Sequence, residues 1–282
     1  MNYDKKVVFI AGGSTGIGLA LAKEFARRGA HLLLIARREK PLTEAKEMLR
    51  SFANGPKQRI ETLPLDVAKH EVVIKELSKW MKEIGVPDVV INCAGFAAPA
   101  RFEETSYDVF RNIIDVNLGG TWNVLQAVVP EMKKRGSGQI LNTSSVAGFL
   151  GVYGYASYGA SKFAVAGLSE VLRSELKPHN ISVHVLYPPN TDTPGFAEEN
   201  KHKPAETVAI EAGDKILTPE QVARFTMKGL DRGKFAIMSG SSSFIRFVNG
   251  LLPRLVRTVT DGDVRKAQRQ KNGAQGEATV IG

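Results

Sequence analysis

V-V-F-I-A-G-G-S-T-G-I-G, residues 7–18, decides how the chain folds. Residues 7–11 are apolar and mostly β-branched, as in a buried strand. Leu19, Ala22, Phe25 and Ala26 then recur at helical spacing until Gly29 ends the run. Between strand and helix stand Gly12, Gly16 and Gly18, a G-x-x-x-G-x-G spacing rather than G-x-G-x-x-G. Such a turn is built to cradle phosphate. Gly12 allows the tight bend, Gly16 lets backbone approach an anion, and Gly18 lets the helix pack on the strand. The helix N-terminus adds unpaired N–H groups and the positive end of its dipole. Ser14, Thr15 and Ile17 lie between these glycines and complete the expected lining.

The same alternation continues outward. Short apolar runs at 31–35, 60–65, 88–92, 139–143, 181–187 and 235–238 are separated by segments of helical periodicity. Most of these runs lack a polar alternate face, which fits parallel strands covered on both sides. The expectation is an α/β fold: a single Rossmann-type, doubly wound parallel sheet of about seven strands with helices on both faces. Residues 1–243 form the expected catalytic domain, with a Pro-, Glu- and Lys-rich lid near 190–218. Residues 244–282 form an amphipathic extension that ends in a polar tail from about Lys266.

Composition narrows the function. The chain has 282 residues, 43% of them hydrophobic, enough for one large core. Cys93 is the only cysteine, which excludes an intrachain disulfide and favours a reducing compartment. The five histidines (31, 70, 179, 184 and 202) show no metal-ligand spacing, so no metal is expected. No apolar leader precedes the first strand, and no apolar run approaches the ~18 residues of a spanning helix. A cytoplasmic protein is expected, with peripheral contact on the cytoplasmic face of a membrane as an option. The net charge is +9, but the arginines are dispersed and basic–aromatic interleaving is absent, so nucleic acid is not an expected partner.

The second strand runs into Ala36, Arg37 and Arg38. An NAD site usually places a carboxylate here for the ribose 2′-hydroxyl. Its replacement by arginines suits a 2′-phosphate, and therefore NADP(H). Asp66 and Val67 follow the third strand, where a carboxylate can meet the adenine amino group and Val67 can cover the ring. Asn92, Cys93, Ala94 and Gly95 close the fourth strand with small residues that let a cofactor pass. Asn92 is expected to brace neighbouring strand ends, and Cys93 to be a small buried residue rather than a nucleophile.

The chemistry is expected from S-S-V-A-G-F-L-G-V-Y-G-Y-A-S-Y-G-A-S-K, residues 144–162. Tyr158 and Lys162 are four apart and share a helix face. A lysine cation beside a phenol lowers its pKa from ~10 and makes it a usable acid or base. Tyr153 and Tyr155 lack such a partner and are expected to pack or to line the substrate space.

Together these motifs resemble the short-chain dehydrogenase/reductase family from about residue 5 to about 240. The family's Gly turn corresponds to Gly12, Gly16 and Gly18, with Ala11 in place of the usual leading Thr. Its N-N-A-G motif corresponds to residues 92–95, with Cys93 replacing the second Asn. The resemblance implies a catalytic tetrad of Asn117, Ser145, Tyr158 and Lys162, with Ser145 chosen over Ser144 by its place thirteen before the tyrosine. It also implies hydride transfer to a ketone with Tyr158 as general acid, Ser145 on the carbonyl oxygen, Lys162 on the nicotinamide ribose, and Asn117 linking Lys162 to water. A dimer or tetramer through helices near 107–135 and 156–177 is implied as well.

Residues 187–207, Y-P-P-N-T-D-T-P-G-F-A-E-E-N-K-H-K-P-A-E-T, are similar to the 3-ketodihydrosphingosine reductases of that family. Asn190 stands where that group has Asp. The resemblance implies NADPH-dependent reduction of a long-chain β-keto amine. Other lipophilic ketones or keto-acyl compounds, or a non-catalytic NADP(H) sensor, stay open at this point. Pro188, Thr191 and Thr193 are expected on the cofactor, and Phe196 with Tyr155 on the substrate. Residues 244–260 mix Phe244, Phe247, Leu251 and Leu252 with Arg246, Arg254 and Arg257, which suits an anionic lipid interface or packing on protein.

Overall fold

The computed structural model describes residues 2–280, and of residues 270–280 the backbone alone; the end of the expected tail, residues 281–282, lies outside the described residues. In chain order the elements are β1 (Val7–Ala11), α1 (Gly16–Arg27), β2 (His31–Ala36), α2 (Glu39–Arg50), β3 (Ile60–Pro64), α3 (His70–Ile84), β4 (Val89–Asn92), α4 (Tyr107–Ile114), α5 (Gly120–Arg135), β5 (Gly138–Thr143), α6 (Ala156–Leu176), β6 (Ile181–Tyr187), α7 (Pro194–Asn200), α8 (Ala205–Glu211), α9 (Pro219–Asp231), β7 (Ala236–Met238), α10 (Gly240–Leu251) and α11 (Pro253–Val280). The strands form one parallel sheet in the order β3-β2-β1-β4-β5-β6-β7. The order reverses between β1 and β4, and a crevice opens there beyond the strands' C-terminal ends.

The unbroken apolar strands are explained by two cores. Val8, Ile10, Leu32 and Leu34 point to one face and pack with Leu21 and Phe25 of α1, Leu42 of α2 and Met227 of α9. Val7, Phe9, Leu33 and Ile35 point to the other and pack with Leu77 of α3 and Val124 and Val128 of α5. Each fully buried side chain of this size contributes about 1.5–3 kcal/mol. A polar residue on either face would therefore cost stability, which removes the period-two signal.

Residues 190–218, expected as a loop or lid, contain the short helices α7 and α8. The lid is closed at its base, where Asp192 N–H donates to Leu217 O at 2.8 Å and Leu217 N–H to Asn190 O at 2.9 Å. Arg101, on the loop after β4, grips it from across the mouth by donating to both oxygens of Glu206 at 3.0 and 2.9 Å. The Thr207 hydroxyl adds a bond of 3.0 Å to Tyr153 O. The polar tail is helical to Val280 and belongs to α11, which packs on lid helix α8. Across the molecule, the α4–α6 surface expected to meet a second subunit exposes Tyr107, Trp122, Phe163 and Val171.

Candidate active site

The crevice begins with the glycine turn. Gly12 has φ +81°, and a β-carbon there would lie 2.6 Å from Ala94 N; one on Gly18 would lie 2.1 Å from Gly12 O. A side chain at either position would thus push backbone apart. Thr15 precedes α1 in extended conformation without a side-chain cap, and no acidic residue stands in the helix's first turn. The turn therefore presents N–H donors and a positive dipole end to the space that a pyrophosphate fits.

Arg37 and Arg38 are exposed at the end of β2, and among the described residues neither enters an ion pair. They suit a phosphate more than an internal carboxylate. Asp66 Oδ1 accepts from Ala68 N–H at 3.0 Å, which shapes the β3–α3 turn around it. Val67 packs inward against α5. It is only 4% exposed, a β-carbon on Gly120 would touch it, and Asn123 Nδ2 donates to its carbonyl at 2.9 Å. Its side chain is a core contact with α5.

Asn92 braces the sheet as expected. Its Nδ2 donates to Asn142 Oδ1 at 2.9 Å, and Asn142 Nδ2 donates to Ser169 Oγ at 2.9 Å, tying β4 and β5 to α6. Cys93 Sγ lies 3.0 Å from Thr143 Oγ1, and burial pushes the thiol up to about 11, so it is a poor nucleophile at neutral pH. Gly95 has no room for a side chain: a β-carbon there would be 2.9 Å from Asn117 Oδ1 and 3.4 Å from Lys162 Nζ.

Ser144 and Ser145 separate cleanly. Ser144 is fully buried and donates its hydroxyl to Lys162 O at 2.8 Å. Ser145 is half-buried, accepts from Ala147 N–H at 3.2 Å and lies close enough to the Tyr158 phenol to lower its pKa. Lys162, on α6, is 5% exposed; its Nζ donates to Thr143 O at 2.8 Å and stands 5.5 Å from the Tyr158 ring centroid. Lysine and tyrosine share a helix face as their spacing requires. Burial nevertheless outweighs the expected depression of the phenol: Tyr158 is pushed up to about 12, with Ser145 opposing the rise and the charge on Glu199 adding to it. Burial also lowers Lys162 to about 8.

Asn117 sits in a π-helical turn, Asp115–Gly119, between α4 and α5, which widens the helix and turns the side chain inward. Its Oδ1 accepts from Phe96 N–H at 3.0 Å; its Nδ2 donates to Phe96 O and Ser161 Oγ, both at 3.0 Å. The side chain therefore ties the β4 loop to α6 and makes no direct bond to Lys162.

The segment after β6 folds over this crevice. Pro188 O accepts from Val146 N–H at 3.3 Å, joining it to the Ser145 loop. Thr191 is buried and donates to Pro189 O at 2.7 Å. Thr193 caps α7 by accepting from Phe196 N–H at 3.1 Å, and a β-carbon on Gly16 would meet its methyl at 3.0 Å. These threonines hold the segment's shape above the glycine turn. Asn190 donates to Asp214 Oδ2 at 3.2 Å, a bond that an Asp at this position would replace with carboxylate repulsion.

Sequence reading missed what α7 and α8 carry inward. Tyr155, the residue before α6, donates its hydroxyl to Glu199 Oε1, and its ring lies 5.9 Å from that of Tyr158. Lys203 Nζ lies 2.5 Å from Glu211 and 3.5 Å from Glu199, with the Phe196 ring 4.3 Å below it. The only sequence signal was the charge of E-E-N-K at 198–201, which is also what a solvated helix face looks like.

A switch-point crevice with an anion cradle on one side and a Ser–Tyr–Lys cluster on the other is the layout of a dinucleotide-dependent oxidoreductase. The chain belongs to the short-chain dehydrogenase family, whose model matches residues 6–204. It is 41% identical over 258 residues to the 3-dehydrosphinganine reductase of Danio rerio, covering 90% of this chain and 77% of the relative. It is 38% identical over 258 residues to the 3-ketodihydrosphingosine reductase of Mus musculus, with the same coverages of 90% and 77%. Among solved structures it is similar to a short-chain dehydrogenase from Sphingobium yanoikuyae in complex with NADPH. That match has a TM-score of 0.75 and 26% identity, and covers 89% of this chain and 95% of the other.

Proposed function

We propose that the protein reduces the ketone of 3-ketodihydrosphingosine to the alcohol of dihydrosphingosine, with NADPH as reductant and Tyr158 as general acid. The observation that carries the reading is the Ser145–Tyr158–Lys162 cluster facing the cradle, in a chain whose curated relatives are named as reductases of this ketone. When bound, NADPH supplies the hydride to the carbonyl carbon. Ser145 Oγ and the Tyr158 hydroxyl converge on the carbonyl oxygen and orient it. Tyr158 delivers its proton as negative charge develops there, and a phenol held near 12 keeps that proton until the acceptor is basic enough. Lys162 is still mostly protonated at pH 7 with a pKa near 8, and puts positive charge beside the phenol as it ionises. Arg37 and Arg38 would hold the 2′-phosphate.

The test is nicotinamide absorbance on mixing the protein, NADPH and 3-ketodihydrosphingosine. NADPH consumption with dihydrosphingosine as product is expected. Consumption with a different lipophilic ketone and none with this one would overturn the assignment.

Delivery of so apolar a substrate involves the C-terminal helices. No described helix is long and apolar enough to cross a membrane. α10, α11 and the residue between them do expose Phe244 (68%), Phe247 (63%), Leu251, Leu252 and Leu255. Arg246 turns inward over the Tyr187 ring at 4.8 Å, which leaves Arg254 and Arg257 exposed beside the apolar residues. This face is proposed to rest on anionic lipid. The full chain should float with vesicles containing an anionic lipid, and Phe247→Ser with Leu251→Ser should abolish flotation. Equal flotation of the double variant would remove the membrane role.

A further inference from the structure

The lid brings a carboxylate to the catalytic tyrosines, and nothing in the mechanism above uses it. Glu199 is largely buried on α7 and accepts from Tyr155, whose ring packs on Tyr158. Its charge is only partly compensated. Lys203 is the nearby cation, and at 2.5 Å it is committed to Glu211, against 3.5 Å to Glu199. Two buried carboxylates thus share one ammonium. Burying an under-compensated carboxylate is costly. Here it also acts at the phenol, because the Glu199 charge raises Tyr158 and so makes proton release harder. Both costs are relieved if a cation enters beside the carbonyl. A ketone with an amine on the adjacent carbon brings that cation with it.

We propose that Glu199 is the specificity-determining residue of this site: from the lid, its carboxylate pairs with the substrate's ammonium and selects an amino ketone over its neutral analogue. The inference rests on the reductase reading and names the part of the substrate that the lid recognises. Tyr155 then orients Glu199, and the Lys203–Glu211 pair holds α7 against α8 so that the carboxylate stays inward.

Glu199→Gln is the informative variant, because an amide oxygen still accepts from Tyr155 while the charge is gone. The measurement is kcat/KM for 3-ketodihydrosphingosine and for its N-acetyl derivative, whose nitrogen carries no charge. The wild-type protein should prefer the amine. Glu199→Gln should raise KM for the amine roughly 10- to 100-fold and leave the acetylated ketone nearly unchanged. Tyr155→Phe removes the orienting bond but keeps the carboxylate's charge, so it should weaken the preference for the amine less than Glu199→Gln does. Inhibition of the unmodified protein by dihydrosphingosine and by N-acetyldihydrosphingosine gives a check that needs no variant, and the amine should bind more tightly. Wild-type turnover of the amine without discrimination, or an equal loss on both ketones in Glu199→Gln, overturns the proposal and leaves the reductase reading standing. No wild-type turnover of the amine overturns both.

Discussion

Tyr158→Phe will lower kcat by roughly 10²–10⁴-fold while leaving NADPH binding intact. The substitution removes one oxygen and keeps the ring, so the packing on Tyr155 at 5.9 Å and the position 5.5 Å from Lys162 Nζ are preserved. What is lost, on the proposed mechanism, is the proton the phenol would deliver to the carbonyl oxygen. The glycine turn and the arginines after β2 are on other elements and are unchanged by the substitution. Stopped-flow NADPH fluorescence and steady-state turnover separate the two effects. A variant within a few-fold of wild-type kcat would remove Tyr158 from proton transfer.

The second large effect is expected at the other end. Replacing Arg37 and Arg38 together by Ala should cut kcat/KM for NADPH by roughly 100-fold and change NADH much less. Each charge-assisted bond to a 2′-phosphate is worth about 1.5–3 kcal/mol. No described carboxylate competes for either guanidinium, so both stand ready for an external anion. Their exposure means that the substitution costs little stability, which keeps the kinetic readout clean. The comparison is kcat/KM for each cofactor in wild type and double variant. Equal losses with NADH would show that the arginines bind no 2′-phosphate.

The central strands were legible because they are buried on both faces. A run such as 181–187 then has no other reading, and the observed β6 has those bounds. Tyr158 and Lys162 share a helix face because their spacing requires it; the choice of Ser145 over Ser144 comes from the family resemblance, and the structure distinguishes the two by burial. The phenol's pKa was not legible. Spacing reports the lysine beside it, whereas the burial that raises it depends on the whole fold, with the lid's Glu199 adding to it. The packing of Val67 against Gly120 was not legible either: the two are more than fifty positions apart in sequence, and only the fold brings them together. Glu199 was hidden because a helix of seven residues carries too few turns to show which side is inside.

The packing of α11 on α8 has a consequence for how the protein is made. The nucleotide cradle and the first four strands come from the N-terminal third of the chain, and synthesis delivers them early. The outer support of the lid emerges only after β7 has completed the sheet. A nascent chain can therefore own a finished coenzyme cleft while its substrate mouth is still being assembled. Coenzyme binding to that cleft would then stabilise the growing protein by mass action before the substrate mouth is complete.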